Sequence, residues 1–178
     1  MKSVEELVPA ASLSTLFDYD RETGSLTWKP RGASSPEAKR WNKRYAGREA
    51  GAVSTGGYRK VTIRTPSNKR LTIYVHLIAW AISHGAWPEK EVDHRNSVND
   101  DNRLSNLREA THQQNCRNRR LRRDNAVGLK GVSWHPRERK FVAKIDNKWL
   151  GYFSTAEEAS RRYQAEAKAR HGEFARVA

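Results

Sequence analysis

The sequence predicts an α+β fold built from small antiparallel sheets and short helices. Three observations point there. Period-two alternation recurs in short runs, as over residues 58–64 and 140–145. Gly and Asp/Asn turns separate those runs at close intervals. Apolar spacing of three and four is confined to a few segments of one to four turns, such as 76–85 and 156–172.

The elements follow in order. Asp20 to Gly24 reads as a turn and residues 25–28 as a strand. The Ser/Pro/Lys/Arg-rich stretch 31–45 is expected to be a mobile basic loop. Gly56-Gly57 makes a second turn before two β-prone runs, 58–64 and 71–75. Leu77, Ile78, Ala81 and Ile82 form the apolar face of a short helix that Gly85 ends. Residues 91–94 read as a strand, 96–102 as a polar loop and 104–108 as a second strand. Thr111 caps a helix running to about residue 123. Strands follow over 131–135, 140–145 and 149–153, with Asp146-Asn147 as a tight hairpin turn. Ser154 or Thr155 caps a last helix, with Glu157 and Glu158 each placed for a capping box. Its apolar stripe is Ala156, Ala159, Tyr163 and Ala167, and Gly172 ends it. Three parts are expected: a β-rich region over 1–87, a strand–loop–strand–helix unit over 88–124, and a three-stranded antiparallel sheet packed on one helix over 125–178.

Composition narrows the partner. The 178 residues carry a net charge of +14, which points to a polyanion. No apolar run approaches the roughly 20 residues of a membrane span, and no signal peptide is visible, so nucleic acid is favoured over membrane. Cys116 is the only cysteine, which excludes a disulfide framework and a cysteine–zinc site within one chain. The expected setting is intracellular. The expected partner is double-stranded DNA, bound by a monomer that needs no protein partner.

The middle part carries the chemistry. Asp93 and His94 are adjacent, Asn106 follows twelve residues after His94, and Asn115 nine after Asn106. A hairpin followed by a helix can gather all four. Neighbours in a strand face opposite ways, so Asp93 and His94 share a site only where the strand ends and distorts. The Asp93 carboxylate and the Asn115 amide oxygen are hard ligands suited to Mg²⁺. His94, neutral near pH 7, can take a proton from water that attacks phosphorus. Asn106 would hold the loop and the imidazole in place.

Residues 92–94 (Val-Asp-His), 106–108 (Asn-Leu-Arg) and 111–115 (Thr-His-Gln-Gln-Asn) resemble the HNH endonuclease motif, the ββα-metal finger. The branch they resemble is the phage and intron-homing type, with Asn in the third place. Residues 19–28, Gly57-Tyr58 and Val75-His76 resemble the amino-terminal region of those proteins. The resemblance implies hydrolysis with one divalent metal ion, Mg²⁺ or Mn²⁺, giving 5′-phosphate and 3′-hydroxyl ends. It implies Asp93 and Asn115 as metal ligands, His94 as general base and Asn106 as the orienting residue. Family members often carry Arg after the upstream His, where this chain has Leu77. A phage-encoded enzyme would act in the cytoplasm of a bacterial host.

Two stretches could hold DNA. Arg117, Arg119, Arg120, Arg122 and Arg123 crowd into seven positions, either as a solvated linker or as a phosphate-binding surface. Farther on, six cations between Lys130 and Lys148 interleave with Trp134 and Trp149. The last part resembles the ethylene-response-factor (Apetala-type) DNA-binding domain, on residues 131–134, 140–145, 150–153 and 155–159. That likeness implies a sheet face in the major groove, with Lys130, Ser133, Arg137, Arg139, Lys144 and Trp149 near DNA. Ser133 and Lys144 stand where the plant pattern has Arg and Glu. Trp134 and Trp149 could equally pack under the helix. His76 is open to a packing or capping role or a phosphate contact, His112 to an exposed place on its helix or an approach to substrate, and Cys116 is expected in the core. The rival reading is a DNA-binding regulator without catalysis.

Overall fold

A computed structural model describes residues 4–32, 35–65, 67–118, 121 and 125–175. The chain is α+β, and its described residues form helices and four small antiparallel sheets. It divides into two compact units, Met1–Ala110 and Thr111–Ala178. Among the described residues no helix is long and apolar enough to cross a membrane.

The first unit opens with helices α1 (Val4–Leu7) and α2 (Ala10–Leu16). Strands β1 (Phe17–Tyr19) and β2 (Leu26–Trp28) form a hairpin around the expected turn. In that turn the Asp20 carboxylate accepts from the Glu22 and Thr23 amides and the Thr23 hydroxyl. Helix α3 is Pro36–Tyr45, where a mobile loop was expected. Its start is well specified: the Ser35 hydroxyl accepts from Ala38 N at 3.1 Å, and Pro36 takes the first position, where its missing N–H costs nothing. Glu37 in the first turn and Lys43 and Arg44 in the last oppose the helix dipole. No residue of the helix is buried, and its Ala38, Trp41 and Tyr45, spaced three and four apart, form only a narrow apolar side among five charged residues, so the stretch reads as a basic loop.

Strands β3 (Ala52–Val53), β4 (Arg59–Arg64) and β5 (Arg70–Tyr74) make a three-stranded sheet. Val61 opposes Ile73 and Ile63 opposes Leu71, so these four share the face turned to the core. Lys60–Tyr74, Thr62–Thr72 and Arg64–Arg70 share the outer face. The core side meets Leu13, Phe17, Leu26 and Ile78. Helix α4 (Val75–His84) buries Val75, His76, Ile78, Ala79 and Ala81, and Gly85 closes it in the left-handed region at φ 74°. Strands β6 (Glu91–His94) and β7 (Leu107–Ala110) form the last hairpin of this unit. Residues Leu104–Asn106, expected as strand, form a 3₁₀ turn before β7.

The second unit begins with α5 (His112–Asn118). Gln114 N donates to the Thr111 hydroxyl at 3.3 Å, and the Gln114 side-chain oxygen Oε1 accepts from Thr111 N at 2.8 Å, so a reciprocal cap starts the helix. Strands β8 (Val132–His135), β9 (Lys140–Ile145) and β10 (Lys148–Phe153) form an antiparallel meander under α6 (Ala156–His171). Thr155 and Glu158 make the capping box. Val132, Ala143, Ile145, Ala159, Tyr163 and Ala167 are the core. Gly131 is needed there, because a Cβ at its place would lie 2.1 Å from the Tyr163 ring.

Candidate active site

Asp93 and His94 lie in a regular ladder, Asp93 opposite Arg108 and His94 opposite Leu107. Strand distortion does not bring the two side chains together. They turn to opposite faces, as the pleat requires. Both are buried, Asp93 at 5% and His94 at 3% exposure.

On one face Arg108 donates through Nε and Nη2 to Asp93 Oδ2, at 3.0 and 2.8 Å. Among the described residues Asp93 is the only buried acid. A buried carboxylate needs such a partner, because desolvation of an unpaired charge is costly.

On the other face the His94 ring stands edge-on to His76 at 5.0 Å and to Tyr58 at 5.8 Å. Its Nε2 lies 3.5 Å from Asn102 Oδ1. The Asn102 amide is oriented by Nδ2 donating to Asp100 O, so the atom facing His94 only accepts. Burial pushes the His94 pKa below its usual value, against the opposing pull of Asn102 and of Asp93, Asp101 and Asp100. His76 is pushed down to about 3, first by burial and then by His94.

The loop between the strands is tightly braced. Asn106 Oδ1 accepts from Asn96 N at 3.0 Å, and its Nδ2 donates to Asp101 O at 2.8 Å. The Asp101 carboxylate takes Arg103 and Asn96, and Arg103 holds its pKa down at about 2. Arg59 reaches Asp100 through Nε and Nη2, both at 3.0 Å. Tyr19 donates its hydroxyl to Asn102 O at 2.6 Å, and burial raises its pKa to about 12. Gly24, at φ 76°, lies so close that a Cβ there would sit 2.4 Å from Arg103 N. Sequence reasoning missed Arg59, Asn102 and Arg108 as parts of the site. Only Arg108 carried a signal, as the residue closing the Asn-Leu-Arg triplet.

Asp93, His94 and Asn106 thus belong to the first unit, and Asn115 to α5 of the second. Among the described residues no group of three or more His, Cys, Asp or Glu side chains could hold a metal ion. The Asp93 carboxylate and the Asn115 amide oxygen are each hard oxygen donors of the kind a hard divalent cation takes. Within the second unit His112 Nε2 and Cys116 Sγ lie 3.6 Å apart, and Cys116 is half-buried instead of being a core residue.

The expected DNA-contacting residues fall into four groups. Ser133, Lys144 and Trp149 share the sheet face away from α6, because Ser133 pairs Val142 and Lys144 pairs Trp149 across the ladder, opposite the side of Val132 and Ala143. His135 and Tyr152 complete that face, with Tyr152 in ring contact with both His135 and Trp149. Trp149 is 53% exposed and so does not pack under the helix. Trp134, opposite Phe141, lies at the rim of the helix side at 47% exposure. Arg137 and Arg139 are exposed in the β8–β9 turn. Arg117 and Lys130 turn inward: Lys130 Nζ donates to Arg117 O at 2.6 Å, and Arg117 lies 3.8 Å from Asp146. Arg119, Arg120, Arg122 and Arg123 lie outside the described residues.

No curated protein and no solved structure matches the chain. Residues 73–117 match the family model described as HNH endonuclease. That stretch contains Asp93, His94, Asn106 and Asn115, and the match supports a nuclease of the HNH type.

Proposed function

We propose that the chain is a metal-dependent DNA endonuclease that hydrolyses phosphodiester bonds to 5′-phosphate and 3′-hydroxyl ends. The observation that carries this is the family match over 73–117, which encloses all four candidate residues at their spacing. Asp93 and Asn115 would hold one divalent ion, Mg²⁺ or Mn²⁺, as the resemblance implies; for that ion to act beside His94, the regular pairing that turns Asp93 away would have to open. Such an ion, when bound, stabilises charge on the phosphate and on the departing 3′ oxygen.

The remaining roles belong to this chain's own side chains. His94 Nε2 lies 3.5 Å from the Asn102 carbonyl oxygen, an acceptor; in the tautomer that donates there, Nδ1 would be the basic nitrogen. His94 then accepts the proton of the attacking water. Its lowered pKa keeps it neutral and ready at pH 7. Asn106 ties both ends of the loop that follows His94 and so fixes where the strand ends. Arg108 orients Asp93 through Oδ2. The exposed sheet face with Ser133, Lys144 and Trp149 would lie in the major groove, with Arg137 and Arg139 on phosphates. The likeness to phage and intron-homing enzymes suggests a homing or free-standing nuclease acting as a monomer.

One observation favours a second reading, a DNA-binding regulator: Asp93 is already neutralised by a buried Arg108. Incubation of supercoiled plasmid with Mg²⁺ or Mn²⁺, beside His94→Ala and a chelator control, separates the two. Nicking or linearisation that needs metal and His94 is the expected result. Salt-sensitive binding without cleavage in either metal supports the regulator.

A further inference from the structure

The first unit carries a groove that the nuclease reading does not use. It encloses about 470 Å³ between α2, β2 and α3 on one side and β4 and β5 on the other. That volume falls within the range of roughly 300–1,000 Å³ usual for ligand pockets. Trp28, Trp41 and Tyr45 line it together with Arg31, Arg64 and Arg70.

The aromatic wall is preorganised. Trp41 meets Trp28 edge-on at 5.4 Å and Tyr45 at 5.4 Å. The Asn42 carboxamide accepts from Arg31 N at 2.8 Å and donates to Arg31 O at 2.9 Å. This clamp sets the Arg31 guanidinium over the Trp41 ring at 4.0 Å. A flat guanidinium stacked on an indole is a surface on which a nucleobase stacks. On the opposite wall Arg64 and Arg70 are paired across the ladder and exposed. The acid of α3, Glu37, is engaged by Arg40 at 3.3 Å.

The groove is also linked to His94. From Arg64–Arg70 the outer face of the sheet continues through Thr62–Thr72 to Lys60–Tyr74. Lys60 Nζ lies over the Tyr74 ring at 4.6 Å, and Tyr74 stacks on His76 at 5.3 Å. His76 in turn meets His94 at 5.0 Å. Four strand residues and two ring steps make a path on the order of 20 Å, or about six stacked nucleotides.

We propose that this groove is a single-stranded DNA site that stacks an unpaired base on Arg31–Trp41 and Tyr45, with the strand running along Lys60 toward His94. Paired bases present only their edges, so a duplex cannot fill a groove walled by ring faces. The cationic wall of Arg64 and Arg70 neutralises the adjoining phosphates. The inference rests on the nuclease reading for its direction toward His94, and binding in the groove stands independently of it.

The test uses the full chain in chelator, so that nothing is cut. Anisotropy is read with an oligothymidylate of about twelve nucleotides, twice the path length, and with a duplex of the same length. Trp41→Ala/Tyr45→Ala is expected to weaken oligothymidylate binding by about tenfold or more and duplex binding by less than about twofold. The exposed pair Arg64→Gln/Arg70→Gln tests the same wall without touching the aromatic packing, and should weaken the same ligand. Photocrosslinking with 5-iododeoxyuridine should place adducts on Trp41 or Tyr45. Unchanged oligothymidylate affinity in both variants, equal loss for duplex, or adducts confined to residues 130–153 overturn the proposal. Plasmid cleavage is run in parallel: adducts in the groove without cleavage sink the nuclease reading and leave the groove standing.

Discussion

Arg108 puts two donors, Nε and Nη2, on a single oxygen of Asp93, with both side chains at most 6% exposed. The pair is set by ladder register, since the two residues face each other across β6 and β7. Arg108→Ala leaves the buried Asp93 carboxylate without its guanidinium and should destabilise the chain by ~3–5 kcal/mol. Replacing both residues by leucine should cost less than the single change. Urea denaturation of the parent and the two variants measures this, and an Arg108→Ala protein as stable as the parent would contradict it.

His94→Ala should reduce plasmid cleavage by about 10²–10⁴-fold while leaving DNA binding in chelator unchanged. The pH dependence has a definite sign. Burial lowers the His94 pKa below the usual histidine value of 6.5, so the required neutral form persists as pH falls past 6.5. Cleavage should therefore decline only at more acidic pH than an ordinary histidine would give. A pH–rate profile at saturating metal tests it.

His76 should make the first unit acid-sensitive. Its folded pKa is about 3, against the usual value of 6.5. Between those values the unfolded chain binds the extra proton, so stability is full above 6.5 and falls as pH drops toward 3. From pH 7 to pH 5 the loss should be ~2 kcal/mol. His76→Gln cannot titrate and should flatten that part of the curve. Urea midpoints at the two pH values provide the measurement, and parallel curves for the two proteins would refute the assignment.

Trp149→Ala should weaken duplex DNA binding several-fold without lowering thermal stability, because the side chain is half exposed on the outer sheet face. Lys144→Gln on the same face should reduce the salt slope of binding by about one. A fall in melting temperature with unchanged DNA affinity would show a packing role instead.

Local pattern determined the α+β class, the spacing of Asp93, His94, Asn106 and Asn115, and the meander with its capped helix. Alternation, turn residues and caps act over a few residues, so a sequence displays them directly. Helix α3 escaped because its short apolar side, Ala38, Trp41 and Tyr45, is outnumbered by five charged residues and its clearest signal is a Ser-Pro start. Tertiary structure alone decided the partners of the candidate residues. Arg59 and Asp100 lie 41 positions apart, and Tyr19 and Asn102 lie 83 apart. Their pairing follows from which surfaces close together when the core forms, and no local pattern encodes that. The ladder likewise sent Asp93 to Arg108 and His94 to His76, because strand neighbours must face opposite ways. Register across the second sheet put Trp149 and Lys144 on its outer face, a choice that composition left open.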